Sequence, residues 1–201
     1  MARLALNKTT LSRLSQQLKI FERFLPSLDL KRRQLLAERA KAAAALRRTE
    51  AELEPIDRLV AEKFPMASRE DVDLTGLMSV KSVRIAQENV VGVKIPVLES
   101  LEIDAREFGF LGRPHWVDRF AQLLRQTIEL QIRVQIERRR LELLEVGVRK
   151  ITQRVNLFEK VLIPRAREHI RRIRIYLSDS ERAGVVQAKI SKKKRVAEAA
   201  L

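Results

Sequence analysis

The sequence predicts an all-α-dominated fold: a long antiparallel two-helix left-handed coiled coil with a small β-hairpin-containing insertion between the helices. Three observations predict it. Apolar residues recur at alternating steps of three and four along both flanks of the chain, and β-branched residues alternate with others in its middle. Among 201 residues there are only six Gly, six Pro and nine Phe, Trp or Tyr, while a third of the chain is charged, a composition that favours long helices with narrow seams over a globular core.

In the first flank, steps of three and four from Leu11 meet Leu14, Leu18, Phe21, Leu25, Leu28, Arg32, Leu35, Arg39, Ala42, Leu46, Thr49, Leu53, Ile56 and Val60. All but Arg32, Arg39 and Thr49 are apolar. This stripe predicts one helix from about Thr10 to Lys63. Its period of about 3.5, shorter than the natural helical turn, predicts left-handed supercoiling. Thr9 or Thr10 is the expected N-cap. Pro26 is expected to kink the helix, because an interior proline removes a backbone bond at a cost of about 3 kcal/mol. Ala40 and Ala42 to Ala45 thin the seam and allow close helix approach.

The middle changes period. Val83 and Ile85, then Val91, Val93, Ile95 and Val97, alternate with Arg84, Gly92, Lys94 and Pro96, which predicts a hairpin at about 80–103 with a turn near Asn89. Gly92 suggests a bulge or a close backbone approach, and Pro96 confines its strand to an edge. A small head inserted at one end of a coiled coil is expected to dock partners, through Val83, Ile85, Val91, Val93 and Ile95. Gly109, Gly112 and Pro114 punctuate the return, with Pro114 in the first turn of the second helix.

The second flank repeats the heptad walk through Trp116, Phe120, Leu123, Thr127, Leu130, Val134, Glu137, Leu141, Leu144, Val148, Ile151, Val155, Phe158 and Leu162. Past Pro164 the register loosens into Ala166, Ile170, Ile173 and Leu177, so a bend is expected at the proline and a helix end near Leu177. The expected organisation is a helix over 1–64, a hairpin head over 65–112, a helix over 113–178 and a frayed basic tail over 179–201. Antiparallel pairing about the head brings together residues whose numbers sum to about 176, which sets Arg39 against Glu137 as a register-defining ion pair, with solvation of both side chains as the alternative.

The net charge of +15 is uneven: 14 basic and 8 acidic residues in 1–64, 5 and 8 in 65–112, and 22 and 10 in 113–201. Basic flanks suit either solvated helix faces or an anionic partner. The absence of cysteine excludes disulfides and thiolate metal sites. No apolar run approaches the roughly 20 residues needed to cross a bilayer, and the first residues lack a signal-peptide core.

Catalytic chemistry is not legible. No Gly-Lys occurs, so the phosphate-cradling P-loop is excluded. His115 and His169 lie in separate regions. Asp71 and Asp73, and Glu50, Glu52 and Glu54, are spaced two apart, which on a helix sends them to different faces. No catalytic, cofactor-binding or metal-ligating residue is expected.

Three blocks carry a resemblance: KTTLSRLSQQLK (Lys8 to Lys19) with LKRRQLL (Leu30 to Leu36), ENVVGVKIPVLE (Glu88 to Glu99) and RVNLFEKVLIPR (Arg154 to Arg165). In this order, over roughly 4–178, the chain resembles the D subunit of the V/A-type ATPases and ATP synthases, departing from the family's pattern at Pro26 and at GRPHW (Gly112 to Trp116). The resemblance implies a non-catalytic central-stalk rotor without a cofactor. It would couple ATP hydrolysis or synthesis in a catalytic hexamer to ion translocation through a membrane ring. The implied partners are the catalytic A and B subunits, the F subunit of the central stalk and the funnel-shaped C (d) subunit above the ring. The implied location is cytoplasmic and peripheral to the membrane, with no direct insertion and no nucleic acid. Arg165, Arg167, Arg171, Arg172 and Arg174 are the expected torque contacts. The competing reading is a basic coiled-coil scaffold or binder of nucleic acid or membrane surfaces, which predicts steep salt dependence.

Overall fold

The computed structural model describes residues 5–68, 74, 76–105 and 114–198, with the side chains of all of these but Ser68 and residues 196–198. Gly109, Gly112, Asp71 and Asp73 lie outside the described residues. The element order is α1 (Lys8–Lys63), a 3-10 turn (Pro65–Ser68), β1 (Met78–Val90), β2 (Val93–Ala105), α2 (Trp116–Leu157), a π turn (Phe158–Leu162) and α3 (Ile163–Glu198). The fold is thus helical with a two-stranded antiparallel hairpin between helices. By contacts the chain forms two compact units, Lys31–Lys150 and the paired segments Met1–Leu30 and Ile151–Leu201.

In the Lys31–Lys150 unit, α1 and α2 run antiparallel with their heptad stripes facing. Leu35, Ala42, Leu123, Val134 and Leu144 are buried, and the polar seam residue Thr49 is buried with them. Phe64 sits 6.4 Å from Trp116 and 5.7 Å from Phe120 between ring centroids, so three aromatic rings close one end of the unit. Such pairs contribute about 0.5–1.5 kcal/mol each beyond their buried area.

Helix register differs from the expected one. The Glu137 carboxylate accepts a hydrogen bond from the Thr49 hydroxyl at 2.9 Å, and Arg138 donates to Glu50 at 2.7 Å. Arg39 is exposed and lies ten positions from Thr49, about 15 Å along α1. The expected Arg39–Glu137 pair therefore does not form. Seam positions repeat at three and four residues, so sliding one helix by ten still sets a seam residue opposite a seam residue. Thr49 then offers Glu137 a neutral hydroxyl, and Arg39 keeps its charge in water.

The hairpin pairs Val90 with Val93 around a two-residue turn, Val91 and Gly92, whose φ values are +53° and +90°. The turn thus falls two residues beyond Asn89. Two successive left-handed residues twist a tight hairpin in the sense of its strands. Gly92 adopts that conformation freely and receives support from the Asn89 side chain, whose Oδ1 accepts its N–H at 3.0 Å. Val91 does not, since a β-branched side chain crowds the backbone there. Val91→Asn is expected to stabilise the hairpin by about 1 kcal/mol, read as slower amide exchange across β1 and β2. Unchanged exchange would show that the valine is unstrained.

In the second unit, α3 packs antiparallel to the first part of α1. Lys8 meets Glu181 at 3.4 Å and Arg167 meets Glu22 at 2.7 Å. The rings of Phe21 and Phe158 meet edge to face at 5.4 Å. The buried stripe reads Ile151, Val155, then Ile163, Ala166, Ile170 and Ile173. From Val155 to Ile163 it advances eight residues instead of seven. The π turn supplies the extra one: the N–H of Ile163 bonds to the carbonyl of Phe158, five residues back. This explains the loosened register at Pro164. The proline has no N–H to give and falls at the start of α3, directly after the bonding pattern has already changed.

Both helix starts move from their expected places. Asn7 caps α1, its Oδ1 accepting the Thr10 N–H at 2.7 Å, in place of Thr9 or Thr10. Pro114 precedes α2, where its carbonyl accepts the Val117 N–H at 3.1 Å. α1 continues through Pro26, and the Ser27 hydroxyl donates to the Phe24 carbonyl at 2.8 Å beside the missing bond. Residues 179–198, expected as a frayed tail, are helical. They contain no proline and are rich in Ala, Lys, Arg and Glu, so an established helix extends through them at little cost.

Candidate interaction surfaces

Arg165, Arg167, Arg171, Arg172 and Arg174 are all exposed on α3. Their environments divide them. Arg167 is held by Glu22 from α1, and Arg172 by Glu168 one turn back on its own helix. Arg165, Arg171 and Arg174 make no ion pair within 4.0 Å among the described residues. Arg171 and Arg174 border a groove of about 670 Å3 between α1 and α3, whose floor includes Leu18 and Ile170. The two free guanidinium groups beside this groove, and that of Arg165, can engage carboxylates in planar, two-bond geometry.

The hairpin residues divide in the same way. Ile95 is fully buried at 0% exposure, and Val93 lies against α2, where a Cβ placed on Gly147 would come 2.7 Å from its Cγ2. Both are used inside the unit, which corrects their expected part in docking. Val93 on β2 packs against α2 and Ile95 is enclosed, so part of the strand's apolar alternation reports packing within the chain itself. Val83 and Ile85 on β1 remain exposed, at 39% and 53%, and Val91 is half-buried at the turn.

Other features escaped the sequence reading. Gly147 seats the hairpin, and a glycine in the middle of a helix, about 1 kcal/mol worse than alanine, was the available signal. Ile20 and Phe24, 50% and 55% exposed, are apolar residues off the heptad stripe of α1, and Val185, Val186 and Ile190 are similarly exposed on α3. Among the described residues no cluster of His, Asp or Glu is arranged to hold a metal ion, and no helix is long and apolar enough to cross a membrane.

These elements define a coiled-coil protein with an inserted hairpin and several surfaces of unspent charge and apolar area. Residues 10–193 match the family model of the ATP synthase D subunit. The chain is 35% identical over 199 residues to the V-type ATP synthase D subunit of Borreliella burgdorferi, covering 96% of this chain and 95% of that one. It is 32% identical over 196 residues to its namesake in Chlamydia muridarum, covering 96% of each chain, and 32% identical over 178 residues to that of Chlamydia felis. The chain belongs to the family of ATP synthase D subunits.

Proposed function

We propose that this chain is the central rotor shaft of a V/A-type rotary ATPase or ATP synthase, itself non-catalytic, coupling ATP turnover in a hexamer of A and B subunits to ion movement through a membrane ring. The observation that carries the reading is the extent of the family match, which runs from α1 through the hairpin to α3. An element that turns inside a ring of catalytic sites acts by making different contacts at each angle, so that binding energy favours open or closed sites in sequence. The unevenness of this seam suits that task. Its helices carry Pro26, a π turn, an alanine-rich stretch and a polar Thr49–Glu137 layer. The F subunit and the funnel-shaped C (d) subunit are the further proposed partners, in a soluble sector peripheral to the membrane.

Co-expression with the A, B and F subunits is expected to yield a complex that contains this chain and hydrolyses ATP. Recovery of the chain alone, or bound to nucleic acid in a strongly salt-dependent way, would favour the scaffold reading instead. Within the complex, Arg165, Arg171 and Arg174 are the proposed torque contacts. Changing all three to Gln is expected to lower ATP-driven rotation several-fold while leaving the melting of the isolated chain within about 0.5 kcal/mol, since none makes an ion pair among the described residues. Unaltered rotation would remove them from that role.

A further inference from the structure

A second groove, of about 490 Å3, lies within the Lys31–Lys150 unit between β2 and α2. Its walls bring apolar residues, Val97, Leu98 and Leu101 from the strand and Ile136 from the helix, together with two arginines, Arg133 and Arg140. The apolar residues are all half-buried, so the groove is neither open surface nor filled core.

The arginines are incompletely used. Arg140 is only 31% exposed, and its Nε is buried with no hydrogen-bond partner. The carboxylate nearest to it is Glu88, at 4.0 Å from the terminal nitrogen, beyond hydrogen-bond length. Arg133 makes no ion pair within 4.0 Å among the described residues. The acidic residues of the same lining do not fill the gap. Glu137 is bonded to Thr49 at 2.9 Å, Glu129 faces Arg125 at 3.5 Å, and Glu99 is exposed on the strand and contacts neither arginine within 4.0 Å. A guanidinium at a groove wall that bonds no acceptor of its own chain among the described residues leaves its terminal N–H groups for an acceptor supplied from outside. The acceptor that matches a guanidinium fork is a carboxylate.

We propose that this groove takes an acidic segment of another protein chain, one that places two carboxylates on Arg133 and Arg140 and an apolar side chain between them. The two arginines are seven residues apart on one face of α2, so the carboxylates stand about 10 Å apart. The apolar wall excludes water around the pair, which makes the two ion pairs specific and not simply part of the attraction of a chain with net charge +15. The site is independent of the free arginines on α3, and its test does not require the rotary complex.

The full chain, with its arginine Nε labelled, is titrated with hexaglutamate at about 150 mM salt, where long-range attraction is screened, and followed by NMR. The Nε–H signals of Arg133 and Arg140 are expected to shift first and saturably. Arg140→Met and the charge-retaining Arg140→Lys are each expected to weaken binding about tenfold, while Arg138→Met, which removes a residue bonded to Glu50, leaves it unchanged. Melting curves of all three variants separate lost binding from lost fold. Arginine signals that all move together, no effect of either Arg140 variant, or equal shifts with inorganic phosphate would each overturn the proposal.

Discussion

Truncating Leu144 to alanine is expected to remove about 3 kcal/mol from the stability of the Lys31–Lys150 unit, while the same truncation two residues on, at Val146, stays within about 0.5 kcal/mol. Leu144 is completely buried and Val146 is 44% exposed, although both are apolar and neighbours on α2. The difference is one of phase: Leu144 falls on the heptad stripe and Val146 does not. Deleting three carbons at a fully enclosed site loses their transfer energy and leaves a cavity that a narrow seam cannot collapse around. For a chain of this size the loss corresponds to about 6–12 °C in melting temperature. Because the chain has two compact units, amide exchange along α2 is the sharper readout. Equal losses at the two positions would mean that the stripe is not the core.

Gly147→Ala is expected to destabilise, reversing the usual effect of replacing a helical glycine. Alanine should gain about 1 kcal/mol from propensity. Its Cβ, however, would stand 2.7 Å from Val93 Cγ2, a distance that requires something to move. Valine is held to one main rotamer and sits beside the tight turn, so the hairpin itself must shift, at a cost of about 1–3 kcal/mol. In a Val93→Ala background the obstruction is gone and Gly147→Ala should become stabilising. A double-mutant cycle is therefore expected to show coupling of about 1–2 kcal/mol, measured by denaturant unfolding. Additive effects would place the hairpin off α2.

The same contact shows why the two faces of the hairpin were only half legible. Alternation of β-branched residues announces a strand but not which neighbour covers each face. Val93 meets α2 and Ile95 is fully buried, whereas Val83 and Ile85 on β1 stay open to solvent. The pairing of Arg167 was hidden for a similar reason: Glu22, which holds it, lies 145 residues earlier in the chain, whereas Glu168, which holds Arg172, is four residues away. Arg133 and Arg140 gave no local signal either, because their groove exists only once β2 lies beside α2.

The buried stripe is a property of the amino-acid order alone. Of the fifteen positions stepped from Leu11, only Arg39 is exposed, and all fourteen stepped from Trp116 are buried or half-buried. Periodicity is a local property: a residue's angle around its helix follows from counting along the chain. The hairpin and the family followed from equally local patterns. The tertiary structure alone decided the register, the pairing of Glu137 with Thr49 and the one-residue phase shift at Phe158–Leu162. Two repeating stripes match almost as well after sliding by three turns, so the choice among registers rests on contacts between residues far apart in sequence. A π turn keeps the stripe facing its partner when the count itself slips, which no fixed period can foresee.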